Sequence, residues 1–133
     1  MNSNYRAVKA LFVQRLLLSG IIAAHGWARF LSDAVAPFGG WLDSQGFPFG
    51  FAIASLITAI EILGTPLLAA GKFTVHLCIA FAAIYICGIV LVHAPVGWFV
   101  VGLGRNGMEY SVLLVVCLLS IAYQHFPDKN TAT

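Results

Sequence analysis

The stretch LFVQRLLLSGIIAAHGWARF, residues 11–30, decides the fold class of this chain. A helix needs roughly 20 predominantly apolar residues to cross the hydrocarbon core of a bilayer, and this stretch has that length and character. It nevertheless contains Arg15, His25 and Arg29. A charged side chain at the centre of a membrane helix costs at least about 2.5 kcal/mol. The stretch therefore predicts a membrane-spanning helix whose ionisable side chains face protein rather than lipid.

The composition of the whole chain supports that interpretation. Of its 133 residues, 60% are hydrophobic and only 9% are charged, and the mean hydropathy is +0.91. Soluble domains have about 25% charged residues. We therefore expect an all-α integral membrane protein in which residues 1–133 form a single transmembrane domain. Because Arg15 interrupts the first apolar run, we expect a retained helix rather than a cleaved signal peptide.

The composition also disfavours two kinds of partner. The net charge of +2 is not gathered into a basic patch, so we expect no nucleic-acid partner. The cysteines, Cys78, Cys87 and Cys117, lie in apolar runs and lack the Cys or His spacing of a metal site. We therefore interpret them as buried apolar residues and expect no metal ligands.

Four apolar segments have lengths that suit membrane spans, at about 9–30, 49–70, 72–93 and 108–124. The first break, residues 32–50, holds two prolines, four glycines and two aspartates, and the second, residues 69–72, predicts a tight glycine turn. The third break, HAPVGWFVVGLGRNG at 93–107, is too apolar for a solvated loop. We expect this segment either to pack at the membrane interface or to fold back over the helix ends.

The basic residues near the span ends indicate the orientation. One side has Arg6, Lys9, Lys72 and Lys129, whereas the other has Arg29 and Arg105. Cytoplasmic segments carry the excess of Lys and Arg, so both termini should be cytoplasmic. Since lipid cannot satisfy backbone polar groups, each span must be a helix. The sequence therefore predicts an antiparallel four-helix bundle.

Polar side chains recur along one face of three spans. Residues three or four positions apart lie on the same side of a helix. At about 1.5 Å rise per residue, several of these groups lie at a similar depth in the outer leaflet. We expect them to form an outward-facing polar pocket. Glu61 and Glu109 would supply its negative charges. The faces are Arg15, Leu18, Ile22, His25 and Arg29 in the first span, Thr58, Glu61 and Thr65 in the second, and Glu109, Leu113, Val116, Ser120 and Tyr123 in the fourth.

Several of these residues have a second interpretation. Arg29 alone suits a side chain that extends to the interface, and His25 alone suits a bond to a backbone carbonyl. Arg15 either pairs with Glu61 or extends to the cytoplasmic surface, and the sequence leaves both open. The aromatic residues near the outer interface are typical membrane anchors, although Trp98 also suits a pocket lid. They are Trp27, Trp41, Trp98 and Tyr110.

Three motifs carry a family resemblance: HGWARF at 25–30, EILGTPLLAAG at 61–71 and HAPVGWFVVGLGRNGMEYSVLL at 93–114. Their order and spacing resemble the DoxX family of bacterial four-helix membrane proteins. The family often has Lys at the position of Arg29, and a second glycine at the position of Thr65. The exchange of Lys for Arg keeps the charge but changes the hydrogen-bonding geometry.

The resemblance implies an inner-membrane, multi-pass protein tied to quinone-linked redox chemistry, because the family is named after a subunit of an archaeal thiosulfate:quinone oxidoreductase. It implies ligand-binding or proton-handling roles for His25, Arg29, Glu61, His93, Glu109 and Tyr110. It also implies pocket-lid or backbone roles for Gly26, Gly64 and Gly97. We add Trp98 to this set as the candidate pocket lid.

We weigh two hypotheses of function. In the first, the polar pocket binds a quinone head group while a partner protein supplies electrons, because the chain has no nucleotide fingerprint or cysteine cluster and hence no intrinsic cofactor. The chain would then be part of a redox complex, not a complete enzyme. In the second, it is a non-enzymatic anchor or accessory subunit of a larger membrane complex, or a homo-oligomer. Haem ligation by His25 and His93 is disfavoured by their different depths, and transport by the absence of an inverted repeat.

Overall fold

The computed structural model describes residues 3–102 and 104–127, and these residues form helices and connecting segments without a β-strand. Within these described ranges five α-helices follow one another, and the fourth ends in one π-helical turn. They are α1 (Ser3–Leu31), α2 (Val35–Ser44), α3 (Gly50–Ala69), α4 (Thr74–Gly88) with the π turn Ile89–His93, and α5 (Glu109–His125). The chain is therefore all-helical over its described residues.

In the part of the chain that the structure describes, three helical segments are long and apolar enough to cross a membrane: Asn4–Leu31, Gly50–Ala69 and Thr74–His93. The remaining apolar helix, α5, is shorter, with 17 residues. The bounds of α3, α4 with its π turn, and α5 lie within two residues of the predicted segments. Helix α1 begins at Ser3, well before the predicted residue 9, because hydropathy marks the apolar part of a helix and not its first turn.

The break at 32–50 contains helix α2, which the sequence analysis did not predict. Pro37 is the third residue of α2, where the backbone N–H has no partner inside the helix, so proline is tolerated. Gly39 permits close packing, since a Cβ there would lie 2.6 Å from the Cα of Phe51. Asp43 accepts a hydrogen bond from the backbone N–H of Gly50 at 2.8 Å. These contacts hold α2 against the start of α3.

Helix α3 buries its polar residues rather than exposing them. The hydroxyls of Thr58 and Thr65 donate to carbonyls four positions back, Ala54 and Glu61, each at 2.7 Å. Pro66 lies inside the helix and lacks an N–H. The helix ends where Gly71 takes a φ of 75°, and the N–H of Lys72 donates to Leu67 at 2.8 Å. This is the tight glycine turn predicted before the next span.

The described residues divide into two compact units. The central unit is Leu16–Lys72, and the terminal unit comprises the residues up to Arg15 and from Phe73 onward. In the central unit α2 packs against α3, and in the terminal unit α4 packs against α5. The most deeply buried side chains of α4 and α5 are apolar: Cys78, Phe81, Leu118 and Ile121.

Between α4 and α5 the described residues of the segment 94–108, which are 94–102 and 104–108, are joined to one another by backbone hydrogen bonds. Backbone N–H groups near its end donate to carbonyls near its start: Gly107 to Phe99, and Met108 to Gly97. The N–H of Glu109 donates to Trp98 at 3.0 Å, so the first residue of α5 is tied to the segment. Both expectations for this apolar connection, packing at the membrane interface or folding back over the helix ends, stay predictions.

The expectation that the fourth span buries the face that begins at Glu109 is wrong. Leu113, Val116 and Tyr123 are 59%, 56% and 84% exposed. The buried face of α5 instead comprises Ser111, Leu114, Leu118, Ile121 and Ala122. The expectation extended the face from Glu109, but this residue begins α5 and directs its carboxylate to the preceding segment. A polar residue in the first turn of a helix is therefore a poor marker of its buried face.

Candidate functional site

The central unit contains a buried ion pair between α1 and α3. Nη1 of Arg29 lies 2.6 Å from Oε2 of Glu61, and the side chains are 19% and 3% exposed. Glu61 lies in the middle part of α3, a helix long enough to cross a membrane. A lone carboxylate at such a position would be costly, and the guanidinium provides the opposite charge it needs. The pair is therefore formally neutral.

Two further side chains fix the guanidinium of Arg29. Its Nη1 also donates to the hydroxyl of Thr58 at 3.1 Å. The ring of Phe38 lies 4.8 Å from the guanidinium carbon, which is a cation–π distance. Arg29 thereby joins three helices, because Phe38 belongs to α2 and Thr58 to α3. We call Arg29, Glu61, Thr58 and Phe38 the Arg29 cluster.

Gly26 makes the close approach of α1 and α3 possible. A Cβ added at this position would lie 2.8 Å from Cβ of Glu61 and 3.1 Å from Cγ1 of Ile62. Real Cβ atoms do not approach a backbone-anchored atom that closely, so any larger residue would push the helices apart. Gly26 is itself buried and lies one turn before Arg29. The glycine therefore sets the distance across which Arg29 reaches Glu61.

Two other residues of the expected site lie near the ion pair. His25 is exposed on α1 and interacts electrostatically with Glu61. Gly64 is buried and lies one turn along α3 from Glu61. The central unit thus brings together His25, Gly26, Arg29, Glu61 and Gly64, all expected from the sequence.

A groove of about 620 Å³ lies next to the Arg29 cluster within the central unit. Its size falls in the range of roughly 300–1,000 Å³ that is usual for small-molecule sites. Its polar lining residues are Asp33, Ser55 and Thr58, and its apolar ones are Phe30, Val35, Ala36, Phe51, Ala59, Ile62 and Leu63. Thr58 belongs to both features, so the ion pair lies directly behind the groove lining.

The remaining expected site residues belong to the terminal unit, where the side chains of His93 and Glu109 bond backbone groups of the segment 94–108. Nδ1 of His93 lies 2.8 Å from the carbonyl oxygen of Asn106, so Nδ1 carries the proton and donates. Oε1 of Glu109 accepts from the N–H of Val100 at 2.9 Å. Gly97 takes a φ of 124°, which favours glycine. Trp98 and Tyr110 are 48% and 40% exposed.

The described contacts of Arg15 lie within the terminal unit. Its Nη1 lies 3.1 Å from Nε2 of His125, at the other end of the terminal unit's sequence. The guanidinium also lies 5.4 Å from the ring of Phe12. Glu61, in the central unit, has Arg29 as an ion-pair partner. The two alternatives for Arg15, a pair with Glu61 or extension to the cytoplasmic surface, stay predictions.

Two parts of this site were missed by the sequence analysis. Phe38 was missed because α2 was interpreted as an irregular break rather than as a helix. The groove was missed because its walls come from α3 and from residues of the same break, such as Val35 and Ala36. The only signal for either was the apolar content of that break, which Phe38 and Trp41 increase.

Comparison with known families gives a match over most of the chain. The family model described as DoxX matches residues 10–94, well over half of the 133 residues. The matched range includes the whole central unit. No curated protein and no solved structure matches the chain significantly.

Proposed function

Because this chain belongs to the DoxX family, we propose that it is a membrane subunit of a complex that carries out quinone-linked redox chemistry. We propose that the Arg29 cluster and its groove bind the quinone-type ring. The observation that carries the proposal is the Arg29–Glu61 ion pair at 2.6 Å behind an apolar groove of about 620 Å³. Ionisable groups inside membrane helices are rare because they are costly, and those that occur usually belong to functional sites.

The unused donors of Arg29 support binding of a carbonyl ring. Both hydrogen bonds of its guanidinium use Nη1, and among residues 3–102 and 104–127 no acceptor bonds Nε or Nη2. The side chain keeps 19% of its surface exposed. A quinone carbonyl accepts hydrogen bonds and carries no charge, so it suits these donors beside a neutral ion pair.

The acidic and imidazole groups support a role in proton handling. Reduction of a quinone to a hydroquinone takes up two electrons and two protons. Glu61 is a carboxylate in the middle part of α3, and the exposed His25 interacts electrostatically with it. We propose that His25 and Glu61 pass the protons between the protein surface and the bound ring. The electrons would come from a redox protein in a larger complex.

The placement in the membrane is part of the proposal. We place the chain in the bacterial inner membrane as a four-helix bundle with cytoplasmic termini. Support comes from three helices that are long enough to cross and from the shorter apolar α5. The basic residues Arg6, Lys9 and Lys72 fall on one predicted side, which is typical of the cytoplasmic one. Lys129, which also entered that count, lies outside the described residues.

The roles of the terminal-unit residues remain proposals as well. His93, Glu109 and Tyr110 are proposed to contribute to ligand handling, and Gly97 and Trp98 to a lid formed by the segment 94–108. Their described contacts fix the backbone of that segment, through Asn106 and Val100. Substitution of His93 or Glu109 tests this part separately from the Arg29 cluster.

The test is quinone binding by the purified protein in lipid nanodiscs. The probe is a decyl-substituted benzoquinone, measured as the amount retained beyond that in protein-free nanodiscs. Arg29→Gln should abolish this excess, and Arg105→Gln, which changes an exposed arginine, should retain it. Because Arg29→Gln leaves Glu61 without its counter-charge, the double variant Arg29→Met with Glu61→Met is included. A folded double variant that binds the probe normally would overturn the proposal.

A further inference from the structure

The polar groups that line the groove present hydrogen-bond acceptors to its interior. The Ser55 hydroxyl donates its proton to the carbonyl of Phe51 at 2.8 Å. The Thr58 hydroxyl donates to Ala54 at 2.7 Å and already receives a hydrogen bond from Arg29. The third polar lining residue is Asp33, whose ionised carboxylate can only accept. A ligand in the groove therefore meets three acceptors along its polar lining.

From this arrangement we infer that the groove binds the reduced, hydroxyl-bearing form of a tailed quinone, the hydroquinone, more tightly than the oxidised form. The inference rests on the proposed function and adds the redox state of its ligand. A hydroquinone has two O–H donors that match the oxygens of Asp33, Ser55 and Thr58. A quinone has carbonyl acceptors only, so it could accept from Arg29 but would place acceptor against acceptor at Asp33, Ser55 and Thr58. A hydroquinone hydroxyl can both accept from Arg29 and donate to these oxygens.

The charges near the groove exclude an anionic head group. The positive charge of Arg29 is already neutralised by Glu61 at 2.6 Å. Asp33 adds a negative charge at the groove itself and is exposed. A carboxylate or phosphate head would therefore be repelled, whereas a hydroquinone is neutral at physiological pH.

The apolar walls of the groove suit a long tail that enters from the lipid. Along α3 the lining runs from Phe51 to Leu63, which corresponds to about 18 Å of helix rise. That length is roughly half of the 30 Å hydrocarbon core. Phe30, Phe51 and Leu63 are 56%, 59% and 67% exposed, so the apolar side of the groove is open. A membrane-dissolved amphiphile can therefore reach the groove laterally.

Preferential binding of the hydroquinone has a measurable electrochemical consequence. Any site that binds the reduced form more tightly raises the midpoint potential of the bound couple. For a two-electron couple, a tenfold preference corresponds to about 30 mV. A redox titration of the bound ring thus measures the same preference as the two affinities do.

The experiment compares both redox states of the decyl-substituted benzoquinone in nanodiscs, oxidised with ferricyanide or reduced with dithionite. We expect the hydroquinone to bind about fivefold to tenfold more tightly, since each matched hydrogen bond is worth a fewfold in affinity. Ser55→Ala and Asp33→Asn should each reduce that ratio. Ser32→Ala is the matched control, because the Ser32 hydroxyl also donates to a carbonyl four positions back but does not line the groove.

A second pair of variants tests whether the groove is the binding site. Ala59→Trp fills the groove and should abolish binding of both redox states, whereas Ala83→Trp places the same side chain on an exposed position of α4. Equal affinities for the two redox states would overturn the inference and leave the proposed function intact. Binding of neither state would overturn both. Tighter binding of a decyl carboxylate than of the hydroquinone would also overturn the inference.

Discussion

The central and terminal units use their ionisable side chains differently. In the central unit Arg29 bonds Glu61 directly, and the carboxylate side chain is 3% exposed. In the terminal unit Glu109 and His93 bond backbone groups of the segment 94–108 instead. Both sets were expected from the same kind of sequence signal, a polar residue near or within an apolar run. Such a signal therefore does not distinguish an ion pair between helices from a side chain that bonds the backbone of a connecting segment.

The largest expected effect is the loss of one partner of the buried ion pair. Arg29→Ala would leave the carboxylate of Glu61 buried without a counter-charge, which costs about 3–5 kcal/mol when the pair is buried in protein. Thermal unfolding in detergent measures this change. The double variant Arg29→Met with Glu61→Met should recover most of the lost stability, since it removes both charges. A single variant as stable as the native protein would contradict the account of the ion pair.

The next effect in size concerns the helix contact at Gly26. Gly26→Ala would place a Cβ 2.8 Å from that of Glu61, and overpacking of this kind costs about 1–3 kcal/mol. Gly20→Ala is the matched control on the same helix, because nothing lies within 4 Å of its added Cβ. The control should be neutral or slightly stabilising. Equal melting temperatures for the two variants would show that α1 and α3 do not require the glycine.

The smallest effect is expected in the terminal unit. Glu109→Ala would remove the acceptor for the N–H of Val100, which is worth about 1 kcal/mol. The loss should appear as faster amide hydrogen exchange at Val100 and its neighbours, while exchange in the central unit stays unchanged. If Glu109→Ala destabilised the protein as much as Arg29→Ala, the hydrogen bond of Glu109 would be as important for stability as the Arg29–Glu61 ion pair, and this prediction would be wrong.

Much of the helical structure was predictable because hydropathy sums over many residues. An error at one position changes little in a run of about 20 residues. Helix α2 could not be predicted from hydropathy in this way, because it has only 10 residues and contains Pro37, Gly39 and Gly40. Those residues are poor helix formers in isolation. Packing on α3 and the bond from Gly50 to Asp43 stabilise the helix, and neither is visible in local sequence.

The candidate site was predictable in its residues but not in its pairings. Spacing placed Thr58 and Glu61 on one face of α3, and both are buried as expected. Spacing alone could not decide between Arg15 and Arg29 as the partner of Glu61, since both lie on the same expected face of α1. The same reasoning gave the wrong buried face for α5, where Leu113 and Tyr123 are exposed.

The amino-acid sequence alone was sufficient to predict an all-helical membrane protein, because solvation of apolar side chains depends on composition and length. The DoxX family was indicated by the three motifs and shown by the family model. The sequence also determined which ionisable residues lie within apolar helices. Only the tertiary structure decided that Arg29 pairs with Glu61, that Phe38 stacks on the guanidinium, and that a groove lies beside Thr58. These contacts depend on how helices pack, and a distance of a few ångströms between helices is not encoded in the periodicity of either one.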